Sequence, residues 1–167
     1  MRPADMLSPY ELLEDGFRIS TDPARLDLDV IHGYLTGSYW AAGRTRAQVA
    51  RSLSHSLCFG LYAGDAQIGL ARVISDYATF AYLCDVFVLE AYRGHGLGTW
   101  LMGAVVAHPD LRGLRRFMLA TRDAHGLYAK FGFALISAPE KWMEIVQAAP
   151  PAPMEGRAAP RPSIGPS

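Results

Sequence analysis

The sequence predicts an α/β domain in which a mixed sheet is flanked by helices, and three observations carry that expectation. The stretch Phe80-Ala81-Tyr82-Leu83-Cys84-Asp85-Val86-Phe87-Val88 is apolar but for one carboxylate, which suits a largely buried strand. It leads into a glycine-rich turn, Arg93-Gly94-His95-Gly96-Leu97-Gly98. The residues from Thr99 to His108 then form an apolar, helix-compatible run that Pro109 stops. Strand, glycine turn and helix in that order bring backbone N–H groups and the positive end of a helix dipole to one point. Glycine removes the Cβ that would keep a ligand away. This is the local chemistry of a phosphate or pyrophosphate site.

The remaining elements follow in chain order. Residues 1–15 read as a loose lead-in to a single domain over residues 16–147. Phe17 to Ser20 forms a first strand. Pro23 opens a helix reaching about Leu35, with Leu26, Val30, Ile31 and Tyr34 recurring at helical spacing. Thr45 is placed to cap a second helix through Val49 and Leu53. Ser56 to Tyr62 and Gln67 to Ser75 are strands, joined by a turn at Ala63-Gly64-Asp65. After the main helix, Leu114 to Thr121 is a strand, and Asp123 caps a short helix that carries Tyr128. Lys141 to Val146 is a last strand that closes the sheet. From Ala148 onward the composition changes: the last twenty residues hold six of the chain's 11 prolines and no aromatic. Such a tail buries too little apolar surface to offset its ordering entropy and is expected to be disordered.

Composition narrows the function. With 167 residues, half of them apolar, the chain supports one sizeable core. The formal net charge is zero, and the arginine cluster Arg112, Arg115 and Arg116 reads as a solvated strand entrance, so neither nucleic acid nor a membrane surface is an expected partner. Cys58 and Cys84 sit in apolar runs as small hydrophobes and make no disulfide framework. The N-terminus lacks the apolar core of a signal peptide, and a cytoplasmic protein is expected.

Spacing decides which phosphate ligand the turn suits. A dinucleotide site needs G-x-G-x-x-G, and Thr99 stands where the third glycine belongs. A P-loop needs Gly-Lys, a pair found nowhere in the chain. The pattern that fits is [R/Q]-x-x-G-x-[G/A], met by Arg93, Gly96 and Gly98 after the lead-in Val88-Leu89-Glu90-Ala91-Tyr92. Downstream, Ala124, Tyr128, Gly132 and Phe133 satisfy A-x-x-x-Y-x-x-x-G-F. In these two motifs the chain resembles the GNAT superfamily of acetyl-CoA-dependent N-acetyltransferases. The resemblance implies a mostly antiparallel sheet with one splayed parallel strand pair, acetyl-CoA as cosubstrate, no metal, and acetyl transfer to a primary amine of a small molecule or peptide by direct attack in a ternary complex. An acetyl-CoA-binding sensor or accessory module without turnover is the alternative.

What the resemblance implies about residues is specific. The pyrophosphate would lie on the backbone of Arg93, Gly94, His95, Gly96, Leu97, Gly98 and Thr99, and the pantetheine arm on backbone groups at Phe87 and Val88. Tyr128 would be the general acid, the other reading being a half-buried core tyrosine bonded locally. Thr121 stands where many members carry Asn, so one contact to the arm is weakened. Asp85, the lone charge of its strand, is either a base or proton relay or the buried partner of an arginine. Strand alternation places it on one face with Leu83 and Phe87. The acceptor is expected against His32, Tyr34, Tyr39 and Trp40, an aromatic group beside Gly33, Gly37 and Gly43, with ordinary packing of the helix pair as the competing account. A monomer or a homodimer is expected.

Overall fold

A computed structural model describes residues 8–147. The chain divides into two compact units, Met1–Ser137 and Ala138–Ser167. The first holds a six-stranded sheet whose order follows the sequence: β1 (Glu11–Glu14), β2 (Phe17–Ser20), β3 (Leu57–Ala63), β4 (Ala66–Ser75), β5 (Phe80–Val88) and β6 (Arg116–Leu119). Every neighbouring pair is antiparallel except β5 and β6, which are parallel. Helices α1 (Leu28–Thr36) and α2 (Arg46–Ser54) connect β2 to β3, α3 (Leu97–Ala107) makes the crossover from β5 to β6, and α4 (His125–Ala129) follows β6. This is the mixed, helix-flanked sheet that the sequence implied.

Three local expectations are corrected. The lead-in carries a strand of its own, because Glu11–Glu14 pairs with β2 across a tight turn in which Asp15 and Gly16 both take positive φ. The helix expected from Pro23 is broken in two. Asp22 caps a short 3-10 turn at Pro23–Arg25, and Asp27 then starts α1 by accepting the N–H groups of Asp29 and Val30. Last, in the second unit the residues expected to form the closing strand do not. Pro139–Lys141 is a 3-10 turn and the described chain to residue 147 is irregular, since strand preference counts only where a paired neighbour is present. The proline-rich tail lies outside the described residues. Among those described, no helix is long and apolar enough to cross a membrane.

The sheet separates two cores. On one face α3 lays Leu97, Leu101, Met102 and Val105 against Phe59, Leu61, Val73 and Leu83. On the other, α1 and α2 pack Ile31, Leu35, Val49 and Leu53 against Cys58, Leu70 and Phe87. Gly69 is needed where β4 and β5 approach most closely. A Cβ there would stand 2.7 Å from the Phe87 carbonyl oxygen, a backbone atom with no rotamer to retreat into. We expect Gly69→Ala to cost roughly 1–3 kcal/mol in urea unfolding, as overpacked sites do.

His108 is buried below the α3 core, edge-on to the rings of Tyr10 and Phe59, and its Nδ1 accepts the Asp110 N–H at 3.2 Å. Burial holds its imidazole below the ordinary histidine range, against a smaller opposing pull from Asp110. The unfolded chain therefore takes up a proton near pH ~6.5 that the folded chain resists. Stability is complete above that pH and falls as the pH drops through it and into the lower folded range, by at most ~1.4 kcal/mol per pH unit. Urea unfolding from pH 7.5 to pH 5 should show this slope, and His108→Gln should flatten it.

Candidate active site

The site begins with a defect in β5. Asp85 has φ +51°, a left-handed conformation in the middle of a strand, and the pairing with β4 slips between Leu70 and Arg72. Two residues of β5 bulge against one of β4 there. The bulge reverses the alternation: Leu83 faces the α3 core, whereas Phe87 faces α1 and α2. The expectation that Leu83, Asp85 and Phe87 share a face is thus corrected. Asp85 joins Phe87 on the α1–α2 side, where two arginines meet it.

Arg72 Nε donates to Oδ2 of Asp85 at 2.7 Å, and Arg44 Nη1 donates to both carboxylate oxygens at 2.9 and 3.1 Å. The Asp85 and Arg72 side chains are 1% and 8% exposed. Arg72 also donates to Ser56 Oγ, and the Arg44 carbonyl lies 3.1 Å from Nε2 of His32. Of the two readings open for Asp85, this geometry is that of the buried arginine partner. Neither Arg44 nor Arg72 was singled out in the sequence, because nothing local links residues 44, 72 and 85.

The pairing of β5 with β6 ends just before the bulge. Their ladder pairs Phe80 through Leu83 with Arg116 through Leu119 and stops there, although β5 continues to Val88. The Leu89 N–H donates to the Ile68 carbonyl, and the Phe87 carbonyl lies against Gly69, so both face β4. Alternation turns the backbone of Val88 toward the open edge, where its carbonyl accepts Arg93 Nε at 3.0 Å. Of the two strand positions expected to meet a ligand, Val88 faces the gap.

The glycine turn follows. Gly94 and Gly96 have φ +82° and +75°, which other residues adopt only under strain, and no atom lies within 4 Å of a Cβ built on Gly94, Gly96 or Gly98. Gly96 opens α3 without a side-chain cap. Among the described residues, the N–H groups of Gly94, His95, Gly96, Leu97, Gly98 and Thr99 meet no protein acceptor. The Arg93 N–H is instead given to the Glu90 carbonyl, so the free series starts one residue later than expected. The Leu97 side chain enters the core, while His95 is exposed and its Nδ1 sits near the Tyr92 and Arg93 carbonyls. A run of unpaired amides at a helix N-terminus is an anion site.

A cavity of about 720 Å³ lies at the parting of β5 and β6. Cys84, Asp85 and Val86 line it from β5, Thr121 and Tyr128 from beyond β6, and Tyr39, Trp40 and Arg44 from the α1–α2 connection. Tyr128 comes from α4, which starts without the expected Asp123 cap: Ala124 stands at its N-cap with no side-chain cap bond, and the Thr121 hydroxyl accepts the Ala124 N–H at 3.0 Å just before it. Burial, with smaller contributions from Tyr39 and Asp123, holds the Tyr128 hydroxyl above its ordinary range. Burial also pushes the Cys84 thiol up to about 11. Tyr39 spans the opening, stacking under the Arg122 guanidinium at 3.8 Å from its ring centroid. The four aromatic candidates therefore separate. Tyr39 and Trp40 line the cavity, whereas Tyr34 stacks on Phe87 and bonds Arg93, and His32 sits by the Arg44 carbonyl.

A family model for the GNAT acetyltransferases matches residues 13–133. The chain belongs to the GNAT acetyltransferase family. Among solved structures, this GNAT protein is similar to a family member from Xanthomonas campestris pv. campestris, with 53% identity and a TM-score of 0.77, over 78% of this chain and 93% of that one. A candidate acetyltransferase of Gibberella zeae is 32% identical over 149 residues, 75% of this chain and 83% of its own length. The fold also matches a Clostridium acetobutylicum protein solved with acetyl-CoA, at 15% identity and a TM-score of 0.57 over 78% and 94% of the two chains.

The arginine clamp has a measurable consequence. Asp85→Ala leaves two guanidiniums facing each other at a left-handed backbone position, and we expect a loss of roughly 3–5 kcal/mol in urea unfolding. Asp85→Asn keeps an acceptor and a residue tolerant of positive φ, and should lose clearly less.

Proposed function

We propose that this GNAT protein transfers the acetyl group of acetyl-CoA to a primary amine in a ternary complex. The observation that carries the proposal is the continuity of the unpaired amides of residues 94–99 with the parted edge of β5 and a cavity that ends at Tyr128. A pyrophosphate suits the first, an extended amide-bearing arm the second, and an acyl group the third. Bound there, acetyl-CoA supplies an activated thioester.

The chain's own residues supply the rest. Free N–H groups and the α3 dipole take the two phosphate charges without any lysine. Arg93 holds the Val88 carbonyl and Tyr34 together and so fixes the junction of arm and turn. The backbone of Val88 offers the arm an unpaired edge. Tyr128 gives its hydroxyl proton to the departing sulfur as the C–S bond breaks and the N–C bond forms, and the proton released by the amine restores it through solvent. The hydroxyl is in its protonated form at neutral pH, as a proton donor must be, while burial makes it a weaker acid until a thiolate develops beside it. Cys84, a thiol with its pKa pushed up to about 11, is a poor nucleophile at neutral pH, which favours direct transfer over an acyl-cysteine route. Asp85 has both oxygens engaged by guanidiniums and serves as a positioning residue for the bulge. The proposal includes a cytoplasmic setting, in keeping with Cys84 being a reduced thiol.

Calorimetry and steady-state kinetics test this together. Acetyl-CoA should bind in the micromolar range, and Tyr128→Phe should lower kcat by roughly tenfold or more with acetyl-CoA affinity nearly unchanged. Unaltered turnover would remove Tyr128 from the chemistry, and acetyl-CoA binding without turnover of any amine would favour a sensor.

A further inference from the structure

The cavity beside Tyr128 carries an uneven charge. Three guanidiniums line it, Arg44, Arg72 and Arg122, against two carboxylates, Asp85 and Asp123. Arg122 and Asp123 approach each other at 3.8 Å near the surface, each two-thirds exposed, and largely cancel. Inside, one carboxylate serves two arginines. Both Asp85 oxygens already accept guanidinium hydrogens, so the floor holds one positive charge that no protein group balances. In a cavity with apolar walls such a charge is felt more strongly than in water.

The unbalanced charge has a usable edge. Arg72 is nearly enclosed, with Nε on Asp85 and Nη1 on Ser56. Arg44 differs: its side chain is 35% exposed, and only Nη1 is engaged with Asp85. Its Nε and Nη2 donors meet no protein acceptor among the described residues. Those two N–H groups form the parallel fork that takes a carboxylate in bidentate fashion. Tyr39, Trp40, Tyr82 and Ile74 line the same cavity as Arg44, surfaces suited to an apolar or aromatic group.

We propose, building on the acetyl-transfer reading, that the acceptor is an α-amino acid, or a small amine bearing a carboxylate, with an apolar or aromatic side chain. Arg44 is its carboxylate-binding residue. A polyamine or an aminoglycoside brings several positive charges to a floor that already has one to spare, and of the described carboxylates lining the cavity Asp85 is held by two arginines and Asp123 lies by Arg122. The same field favours the neutral amine, the form that attacks, over its ammonium.

The experiment compares each amino acid with its own carboxamide. The protein is first shown by calorimetry to bind acetyl-CoA. A panel of apolar and aromatic L-amino acids, their carboxamides and spermidine is then titrated onto the CoA-saturated protein and assayed as acceptors with acetyl-CoA. At least one amino acid should bind, and be acetylated, at least tenfold better than its carboxamide, and spermidine should be poor. Arg44→Gln should abolish that tenfold preference, read as the ratio of amino acid to carboxamide within the one variant so that any loosening of the Asp85 clamp cancels, and Arg44→Lys, which keeps the charge beside Asp85, should retain part of it. A protein that binds acetyl-CoA but shows no preference for any carboxylate over its carboxamide, or that prefers spermidine, overturns the acceptor class while leaving acetyl transfer standing. A protein that does not bind acetyl-CoA overturns both.

Discussion

The arrangement of the site depends on one buried interaction, the clamp of Arg44 and Arg72 on Asp85. A strand residue at φ +51° sits in a region that costs an L-residue roughly 1–2 kcal/mol, and a carboxylate without water is costlier still unless it is paired. Three short guanidinium contacts offset both costs. They draw the bulge toward the α1–α2 side and tie it to two distant places, the middle of β4 and the loop before α2. The second half of β5 is thereby re-aimed. Its ladder with β6 ends at Leu83, and Phe87 turns into the opposite core from Leu83. The gap between the parallel strands, which opens where β6 ends at Leu119, thus lies directly beside the charged cluster.

The glycine turn then falls at the end of the re-aimed strand. Arg93 couples them by holding the Val88 carbonyl with Nε and the Tyr34 hydroxyl with Nη2, while Tyr34 lies flat on Phe87 at 3.9 Å. Strand, turn and first helix are thus locked as one body. The turn end of the site is built from backbone amides, with the Arg93 guanidinium and the helix dipole as its charge. The cavity end is built from side chains and carries the charge of the clamp. One cluster therefore borders the gap and sets the electrostatics of the cavity beside it.

Much of this was legible in the sequence where the signal is local. The turn, the strand before it, the α3 run after it and the motif around Tyr128 are read from neighbouring residues, and their positions hold to within a few residues. Thr45 likewise caps α2 as its position suggested, and the structure adds a capping box with Gln48. Long-range pairing left no such trace. An aspartate in an apolar strand signals that a partner exists, but not that the partners are Arg44 and Arg72, and no residue pattern announces the bulge. Period-2 alternation fails at Asp85 because it presumes an unbroken strand. His32 and Tyr34 belong to the same aromatic group in sequence as Tyr39 and Trp40, yet two residues apart on α1 they point to different sides, one to the Arg44 carbonyl and the other to Phe87, leaving Tyr39 and Trp40 to the cavity. Glu11–Glu14 was missed as a strand because two of its four residues are charged and its sheet position is at an edge.

The clamped bulge beside the end of the β5–β6 ladder and the unpaired amides of residues 94–99 form the framework proposed to hold acetyl-CoA. A crystal structure of the protein with CoA tests it most directly. The account predicts the pyrophosphate on the N–H groups between Gly94 and Thr99, the pantetheine arm along the Val88 edge, the thiol beside Tyr128, and Asp85 still held by Arg44 and Arg72. CoA bound elsewhere, or a β5–β6 ladder zipped past Leu83 with Asp85 released from its arginines, would contradict it.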